Sequence, residues 1–476
     1  MSNDNKYIFD IDTLMKEENE EKKDERKKKH KKSRVLSWVF LLLFVAVIAG
    51  TATFFIAKYL LPIDFHDDDA TASVTEVVKD PVEESSVQDE SDEKIESIVH
   101  EDEVVISNPE PVVIEPTADE LLEEAIREYI NSMTLEDRVA GIFIVTPESL
   151  TGVGTVTRAG DGTKAALEKY AVGGIIYSAK NMTGADQFKT VIENTKAYAR
   201  YPLFLTVDEE FGASTFGKNL KVVSTQTASE IGAGGDAAIA KVEEEKIANY
   251  MSEYGLNLNI GIVADVLTDA DNAVMSTRSF GSDLNLTSEM ASNAVFALLN
   301  AGLYSGVKFF PGQGSATADT SNGLAVSART RAEMEECEFV SFKLTIDAGA
   351  TMLVVSHISA PDLTGDNTPC SLSKAVMTDL IRKEWGYDNL IIITDSLSKA
   401  AISSYYESSE ACITAIKAGA DMVLCPENFE ESYAAVLDAV NKNIIAIERI
   451  EDSLVRIYKQ KFKDLTPDEI RALIPQ

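Results

Sequence analysis

The chain is poor in the residues from which many metal and redox sites are built. It has four histidines and four cysteines among 476 residues, and three of the histidines, His30, His66 and His100, precede the region that reads as folded. The cysteines, Cys337, Cys370, Cys412 and Cys425, show no metal-ligand spacing and are expected to be free, mostly buried thiols. We therefore expect no metal ion and no cofactor.

Positive charge is also scarce. The chain has 44 Lys and Arg against 78 Asp and Glu, which gives a formal net charge of -34 at pH 7. Binding to a phosphate backbone requires a basic face, so nucleic acid is not expected as a partner.

The basic residues that are present near the N-terminus directly precede an apolar run. The cluster Lys22 to Arg34 is followed by Val35 to Ala57, which carries no charged residue. At about 1.5 Å per residue a helix of this length crosses a hydrocarbon core of about 30 Å. The pattern predicts a transmembrane helix at residues 35–61 that anchors the protein in the cell membrane, with the N-terminus cytoplasmic and the folded region extracytoplasmic. The alternative is a cleaved signal peptide, which would have a shorter apolar region and a small-residue cleavage site.

The composition divides the chain into four parts. Residues 1–34 form a basic cytoplasmic tail, and residues 35–61 form the predicted membrane helix. Residues 62–117 are rich in Asp, Glu, Ser, Val and Pro, with no glycine and no aromatic residue after Phe65, and are expected to be a disordered acidic linker because they cannot bury enough apolar surface. Residues 118–476 form the folded domain.

In the folded domain, apolar runs alternate with helical patterns, which is typical of an α/β protein. After a first helix at Ala118–Met133, eight strands are predicted, at Gly141–Val145, Gly173–Tyr177, Leu203–Val207, Leu256–Ala264, Gly306–Phe310, Thr351–Ser356, Leu390–Thr394 and Asp421–Cys425. The intervening helices are exemplified by Ala237–Tyr254, Thr287–Asn300, Thr330–Ala348 and Phe429–Asn441. Eight β/α units in this length favour a (β/α)8 TIM-type barrel. A doubly wound open sheet is the alternative, but no G-x-G-x-x-G follows the first strand.

Polar residues follow at least five of these strands. They include two aspartates after the third and fourth strands, a lysine in the fifth, a histidine after the sixth and Asp395 after the seventh: Asp208, Asp265, Lys308, His357 and Asp395. An Asp after a strand is often a helix N-cap, which is the alternative for Asp395. Because the carboxyl ends of barrel strands meet at one mouth, the recurrence favours a shared site there.

At these residues the chain resembles glycoside hydrolase family 3, and within it the single-barrel β-N-acetylhexosaminidases of bacterial cell-wall turnover. The resemblance covers roughly residues 118 to 465. The blocks that carry it lie in the family's order: residues 133–139, 172–177, 202–210, 257–265, 277–281, 308–314, 385–398 and 418–424.

The resemblance implies a retaining glycosidase without a cofactor, acting on terminal β-linked N-acetylglucosamine of wall glycan or an amino-sugar oligosaccharide. Asp395 stands at the family's nucleophile position. Asp208, Arg278 and Lys308 stand at positions that bind sugar hydroxyls, and His357 at a position that contacts substrate or supports the site. We expect Asp395, Lys308 and Arg278 to share one pocket; for Arg278 the alternative is a salt bridge that ties a loop.

The sequence departs from the family at the general acid/base. The family's D-S-H triplet, in which the Asp orients a catalytic His, reads Asp319-Thr320-Ser321 here. A serine hydroxyl cannot donate a proton at neutral pH, which leaves Asp319, Glu209 or Glu210 to supply it, or His357 as the one histidine within the folded domain. The family's two histidines near the fifth strand are Phe309 and Gln313. Two hypotheses remain, an active hydrolase and a barrel that binds wall glycan or a protein partner without hydrolysing it.

Overall fold

The structure is a computed structural model that describes residues 116–212, 214–316 and 318–475. The predicted cytoplasmic tail, the predicted membrane helix at 35–61 and all but the last two residues of the predicted linker lie outside these ranges. Within them, every helix is too short or too polar to traverse a lipid bilayer.

In the described part of the chain, eight parallel strands close into a barrel in sequence order, with the eighth strand paired to the first. The strands are β1 Phe143–Val145, β2 Gly174–Tyr177, β3 Phe204–Val207, β4 Leu258–Val263, β5 Tyr304–Phe310, β6 Met352–Val355, β7 Ile391–Ser396 and β8 Met422–Leu424. Almost all of their residues are buried, as expected of parallel strands that are covered on both faces. The predicted (β/α)8 barrel is confirmed, and no strand end lies more than two residues from its predicted position.

Helices surround the barrel and connect successive strands. They are α1 Ala118–Asn131, α2 Leu135–Ala140, α3 Pro147–Thr151, α4 Asp161–Lys169, α5 Ala185–Tyr198, α6 Ala228–Gly234, α7 Ala237–Tyr254, α8 Leu284–Asn300, α9 Arg331–Glu336, α10 Glu338–Asp347, α11 Pro361–Thr364, α12 Ala400–Ser403, α13 Ser408–Ala418, α14 Phe429–Asn441, α15 Ile447–Lys461 and α16 Pro467–Ala472. A π-helix, Ala375–Glu384, precedes β7. Several helices begin at a threonine or aspartate whose side chain accepts a backbone N–H of the first turn, as Thr117 does for α1.

The prediction of one helix across Thr330–Ala348 was wrong, because the chain leaves the helical conformation at Cys337 and forms α9 and α10. Glu338 follows the break and is buried, where it pairs with Arg329 at 2.9 Å. The periodicity of the apolar residues continues across this break, so the pattern alone does not reveal it.

Irregularities in strand pairing occur beside the polar residues of the barrel. The register shifts between Val307 and Phe310 of β5 and between Ile393 and Ser396 of β7, so the shifts bracket Lys308 and Asp395. A bulge changes the direction in which side chains leave a strand, and bulges are common next to functional sites. The pairing also shifts between Asn259 and Ile262 of β4, so the fold departs from ideal pairing in β4, β5 and β7, and the last two of these strands carry charged residues into the barrel mouth.

Candidate active site

Asp395 is the penultimate residue of β7, at the carboxyl end of the barrel, and is 5% exposed. Its Oδ1 accepts the backbone N–H of Ser396 at 2.7 Å, and its Oδ2 accepts from Nζ of Lys399 at 2.6 Å. Burial acts to raise the pKa of Asp395, but the charge of Lys399 and these hydrogen bonds outweigh it and lower the pKa to about 2. Asp395 is therefore an ionised carboxylate held by one main-chain and one side-chain donor.

A second charged group lies across the mouth. Lys308 on β5 is buried, and its Nζ contacts Oδ1 of Asp208 and lies 2.6 Å from Oε1 of Glu210. Burial acts to lower the pKa of Lys308, but the two carboxylates outweigh it, so the pKa is raised and the ammonium stays protonated. Asp208 follows β3 directly and its side chain is 47% exposed, so it keeps oxygen atoms available to a ligand.

Arg278 joins the same group through Glu210. Its Nε and one terminal nitrogen donate to the two Glu210 oxygens at 2.8 and 2.6 Å, a bidentate pair. Burial acts to raise the pKa of Glu210, but Lys308 and Arg278 outweigh it and lower that pKa. Glu210 is thus a fixed anion between two cations, which makes it a poor proton donor. The salt bridge considered for Arg278 from the sequence is present.

Phe309 is the meeting point of three cations. The guanidinium of Arg278 lies 4.9 Å from the centre of its ring, Nζ of Lys308 lies at 4.8 Å and Nζ of Lys399 at 5.2 Å. An aromatic face attracts cations through its quadrupole. A histidine at this position would be surrounded by positive charge, which disfavours its protonated form.

Asp265, which follows β4, supports the end of β5 and the segment directly after it. It is fully buried and accepts the backbone N–H groups of Phe309 at 2.9 Å and Gln313 at 2.5 Å. Burial raises the pKa of Asp265 to about 7, although the two hydrogen bonds act against it. Asp265 therefore positions the segment after β5.

Glu209, between Asp208 and Glu210 in the chain, anchors the segment after β3. It is 1% exposed, and its oxygens accept from the Tyr250 hydroxyl at 2.8 Å and from the backbone N–H groups of Thr215 and Phe216. Burial raises its pKa. With every contact directed into the protein, Glu209 positions its neighbours.

His357 follows β6 and is fully buried. One ring nitrogen contacts the Ser371 hydroxyl at 2.7 Å, and the other lies 2.8 Å from the carbonyl oxygen of Ser396. Because the carbonyl only accepts, that nitrogen, Nε2, carries the proton. Burial lowers the pKa of His357, so the ring is neutral, and it supports the turn that holds Asp395.

The Asp319-Thr320-Ser321 segment lies beside this turn. Oδ1 of Asp319 accepts the backbone N–H of Ser321 at 2.8 Å, and the carbonyl oxygen of Thr320 accepts the N–H of Ala401 in α12 at 3.0 Å. Asp319 is partly exposed and Ser321 is exposed. The segment is thus tied to α12, directly after Lys399, while the side chain of Ser321 is free to reach solvent.

A cavity of about 210 Å³ opens at the barrel mouth, lined by residues of all eight strands or the segments directly after them. Asp208, Lys308 and Asp395 line it together, with Phe309 and Lys399. Arg278 and His357 lie behind the wall, and Asp319 lies outside the lining residues. The structure therefore brings two of the three residues expected to share a pocket to its surface and connects the third, Arg278, through Glu210.

Lys399 and Cys425 also line the cavity, although neither was predicted to do so. Lys399 stands four residues after Asp395, a spacing at which opposite charges pair on a helix, but here the segment is a turn. Cys425 follows β8, and burial raises the pKa of its thiol to about 12. Across the described residues, no group of three or more His, Cys, Asp or Glu is arranged to hold a metal ion.

Comparison with known proteins identifies the family. The sequence profile of the glycosyl hydrolase family 3 N-terminal domain matches residues 134–460. The chain belongs to glycosyl hydrolase family 3. The match begins at the N-cap of α2 and ends in α15, so this family domain is the barrel.

Two similar family 3 proteins are β-hexosaminidases. β-Hexosaminidase A of Pseudoalteromonas piscicida is 27% identical over 331 residues, which are 62% of this chain and 54% of that protein. β-Hexosaminidase LpqI of Mycobacterium tuberculosis is 28% identical over 312 residues, which are 63% of this chain and 78% of that protein. The chain therefore spans about half the length of the first relative and most of the second.

Solved family 3 structures share the barrel. The β-N-acetylglucosaminidase of Paenibacillus sp. FPU-7 superposes with a TM-score of 0.64 at 27% identity, over 72% of this chain and 64% of that one. LpqI of M. tuberculosis superposes with a TM-score of 0.62 at 25% identity, over 71% of this chain and 96% of that one. This family 3 protein is thus β-hexosaminidase-like in both sequence and fold.

Proposed function

We propose that this family 3 protein is a membrane-anchored, extracytoplasmic glycoside hydrolase that removes terminal β-linked N-acetylglucosamine from wall glycan. The observation that carries the proposal is the placement of Asp395 in one cavity with the Asp208–Lys308 pair. A carboxylate nucleophile beside charged groups that can bind hydroxyls is what a retaining glycosidase requires. The names of the similar proteins, β-hexosaminidase and β-N-acetylglucosaminidase, supply the sugar.

In the proposed mechanism Asp395 is the nucleophile. Its carboxylate attacks the anomeric carbon, the glycosidic bond breaks, and the bonding electrons leave with the departing oxygen. Water then hydrolyses the glycosyl-enzyme with net retention of configuration. The low pKa of Asp395 keeps it ionised at any physiological pH.

Asp208 and Lys308 are proposed to bind sugar hydroxyls. Asp208 is half exposed at the cavity and accepts hydrogen bonds, whereas Lys308 donates them. Glu210 and Arg278 act behind them, because their ion pairs fix Lys308 from the protein side. Charge-assisted contacts of this kind are short and directional, which suits recognition of a polyol.

The proton for the leaving group is proposed to come from the Asp319 segment. Glu210 is excluded by its lowered pKa, and Glu209 by its contacts with the Tyr250 hydroxyl and the main chain. Asp319 is partly exposed on a segment that is tied to α12 beside the nucleophile turn. Since a positioned acid contributes about 10²–10⁴-fold, substrates with good leaving groups are expected to be turned over best.

The size of the cavity supports exo-action. Its volume of about 210 Å³ is below the roughly 300–1,000 Å³ of sites for drug-sized ligands, which favours one terminal sugar over an internal stretch of glycan. The proposed anchor at 35–61 and the acidic linker would hold the barrel at the outer membrane surface, where wall glycan is its substrate class.

A second candidate function is binding of wall glycan or a protein partner without hydrolysis. Two observations favour it: Ser321 stands where the family has its acid/base histidine, and Lys399 occupies the free oxygen of Asp395. A barrel with these features would keep the sugar contacts of Asp208 and Lys308 and lose turnover.

One kinetic experiment separates these functions. Purified full-length protein is incubated with an aryl N-acetyl-β-glucosaminide that has an activated leaving group, beside Asp395→Ala. Hydrolysis with retained configuration in the first-formed sugar, absent from the variant, is expected. Turnover no greater than that of Asp395→Ala would remove the hydrolase proposal, and saturable calorimetric binding of N-acetylglucosamine would then favour the second function.

A further inference from the structure

Lys399 is the residue in most direct contact with Asp395 that the proposed mechanism does not use. Its Nζ donates to Oδ2 at 2.6 Å, while Oδ1 is bonded to the main-chain N–H of Ser396 at 2.7 Å. The main-chain bond belongs to the fixed end of β7. Lys399 is on the turn before α12 with 24% of its side chain exposed, so it is the donor that can move.

Of the three cations at the Phe309 ring, Lys399 is the one that pairs with Asp395. Lys308 and Arg278, the other cations at the Phe309 ring, are each paired with Glu210, and Lys308 is paired with Asp208 as well. Lys399 contacts the ring at 5.2 Å and pairs with Asp395. The aromatic ring thus provides a second attraction that keeps the ammonium at the cavity wall.

The position of Lys399 argues against a role as the missing proton donor. In retaining glycosidases the two catalytic carboxyl groups flank the scissile bond and lie about 5–5.5 Å apart. An ammonium 2.6 Å from the nucleophile lies with it rather than across the sugar from it. Its effect on the reaction must therefore be exerted through Asp395.

We propose that Lys399 is a positioning residue. It keeps Asp395 ionised but prevents it from attacking the substrate, and a bound sugar must draw Lys399 away before the attack can occur. The inference rests on the proposed function. In the attack, Oδ2 of Asp395 forms a bond to the anomeric carbon as the glycosidic C–O bond breaks. With an aryl substrate the electron pair leaves on the phenolate oxygen, and the Lys399 ammonium keeps its protons.

The surroundings of Asp395 determine what loss of Lys399 does to its ionisation. The other titratable groups at the cavity are Tyr177, Asp208, Lys308 and Cys425, and His357, Glu210 and Arg278 lie behind its wall. His357 is neutral, and Lys308 is already paired with the carboxylates of Asp208 and Glu210. Without Lys399, burial would raise the pKa of Asp395.

The kinetic test uses full-length Lys399→Met, which keeps an unbranched side chain and removes the charge, beside Lys399→Arg, which keeps it. The probe is an aryl N-acetyl-β-glucosaminide with an activated leaving group. In Lys399→Met the acid limb of kcat/KM is expected to move up by about one pH unit or more, and the rate above that limb to rise roughly tenfold, since a charge-assisted bond no longer holds the nucleophile. Lys399→Arg is expected to keep the wild-type profile. An unchanged limb and rate in Lys399→Met would overturn the proposal.

A double-mutant cycle provides a measurement that does not depend on turnover. Asp395→Asn, Lys399→Met and the double variant are unfolded in urea at pH 7. The matched control is the pair Asp438 and Lys442, which has the same spacing and a 2.7 Å contact but lies exposed on the surface. Coupling that changes the unfolding equilibrium by roughly tenfold or more is expected at the cavity, against about twofold for the exposed pair.

Equal coupling in the two pairs would overturn the hold of Lys399 on Asp395. Absence of turnover from the wild type and every variant would instead overturn the proposed function, and the cycle would then decide the inference. Turnover in Lys399→Met but not in the wild type would support both, because the withheld nucleophile would explain the inactivity of the wild type.

Discussion

Two buried aspartates lie at opposite ends of the barrel and have opposite surroundings. Asp395 is at the carboxyl end of β7, borders the cavity, and has one ammonium and one backbone N–H as partners. Asp421 directly precedes β8 at the amino end. It contacts the backbone N–H of Ile392, the Ser453 hydroxyl and three guanidinium groups, those of Arg382, Arg449 and Arg456.

The difference teaches how the same residue type is fully paired at one end of the barrel and left open to a ligand at the other. Asp421 is saturated by groups of its own chain, so it has no capacity left for a ligand. Asp395 has few partners, and one of these is a partly exposed side chain. In barrels of this class the amino end is the stability face and the carboxyl end bears the site.

The largest expected effect is on activity at the mouth. Asp395→Asn keeps the size of the side chain but removes the proposed nucleophile, so kcat/KM on an aryl N-acetyl-β-glucosaminide should fall roughly 10⁴-fold or more. The midpoint of urea unfolding should change far less than in the corresponding variant at Asp421. Retained activity in Asp395→Asn would show that another carboxylate attacks.

The next largest effect is on stability and comes from the amino end of the barrel. Asp421→Asn leaves guanidinium groups without their carboxylate, so the free energy of unfolding should fall by about 3–5 kcal/mol. Urea unfolding measures this, and Asp438→Asn, at an exposed aspartate of α14, is the control with little change. If the free energy of unfolding fell by the same small amount in both variants, the arginine cluster would contribute no more to stability than an exposed ion pair.

A gain of function from a change in the Asp319 segment is expected to be smaller. Ser321→His restores an imidazole beside Asp319, whose Oδ1 already accepts the N–H of residue 321. On a substrate with an unactivated leaving group, kcat should rise about 10²-fold, at the lower end of what a positioned acid supplies. Ser321→Asn has similar size without a proton to donate and should give no gain; an equal rise in both variants would point to loop packing as the cause.

The last effect is on the pH dependence of stability and concerns another buried carboxyl group, Glu244 on α7. Burial raises its pKa to about 8, with the Asn259 amide acting against this and the Glu209 carboxylate adding to it. The unfolded chain ionises this group near its ordinary pKa of 4.5, whereas the folded chain keeps it neutral to about pH 8. Its contribution to stability is therefore full below pH 4.5 and is lost as the pH rises to about 8.

Glu244→Gln keeps a neutral side chain at every pH and should lose less stability than the wild type between pH 5 and pH 9. Urea unfolding at the two pH values measures the difference. Glu245→Gln on the same helix, where the side chain is 49% exposed, should follow the wild type. An equal loss in Glu244→Gln and the wild type would assign the alkaline destabilisation to other groups.

The fold was predictable because each strand carries a run of apolar residues long enough to be buried on both faces. The runs at Leu203–Val207 and Leu390–Thr394 end in carboxylates, and the structure has strands there. The break at Cys337 was not predictable from the apolar pattern, and the ion pair of the buried Glu338 with Arg329 beside it forms only in the assembled domain.

For the candidate site, the sequence indicated which residues stand at the ends of strands but not which neighbours hold them. The position of Asp395 followed from the end of an apolar run. Its partner Lys399 could not be inferred, since an aspartate and a lysine four residues apart pair in many exposed helices without consequence. The contact matters here because Asp395 is buried and both side chains line the cavity.

The sequence by itself determined the parallel barrel and the presence of charged residues after several strands. Both follow from the apolar runs, their alternation with helical segments and the residues directly after each run, which can be read along the chain. Only the tertiary structure decided the partners: Glu210 between Lys308 and Arg278, and Lys399 on Asp395. Pairing energies depend on distance and on how much water is excluded, and both are set by strands that are far apart in the chain.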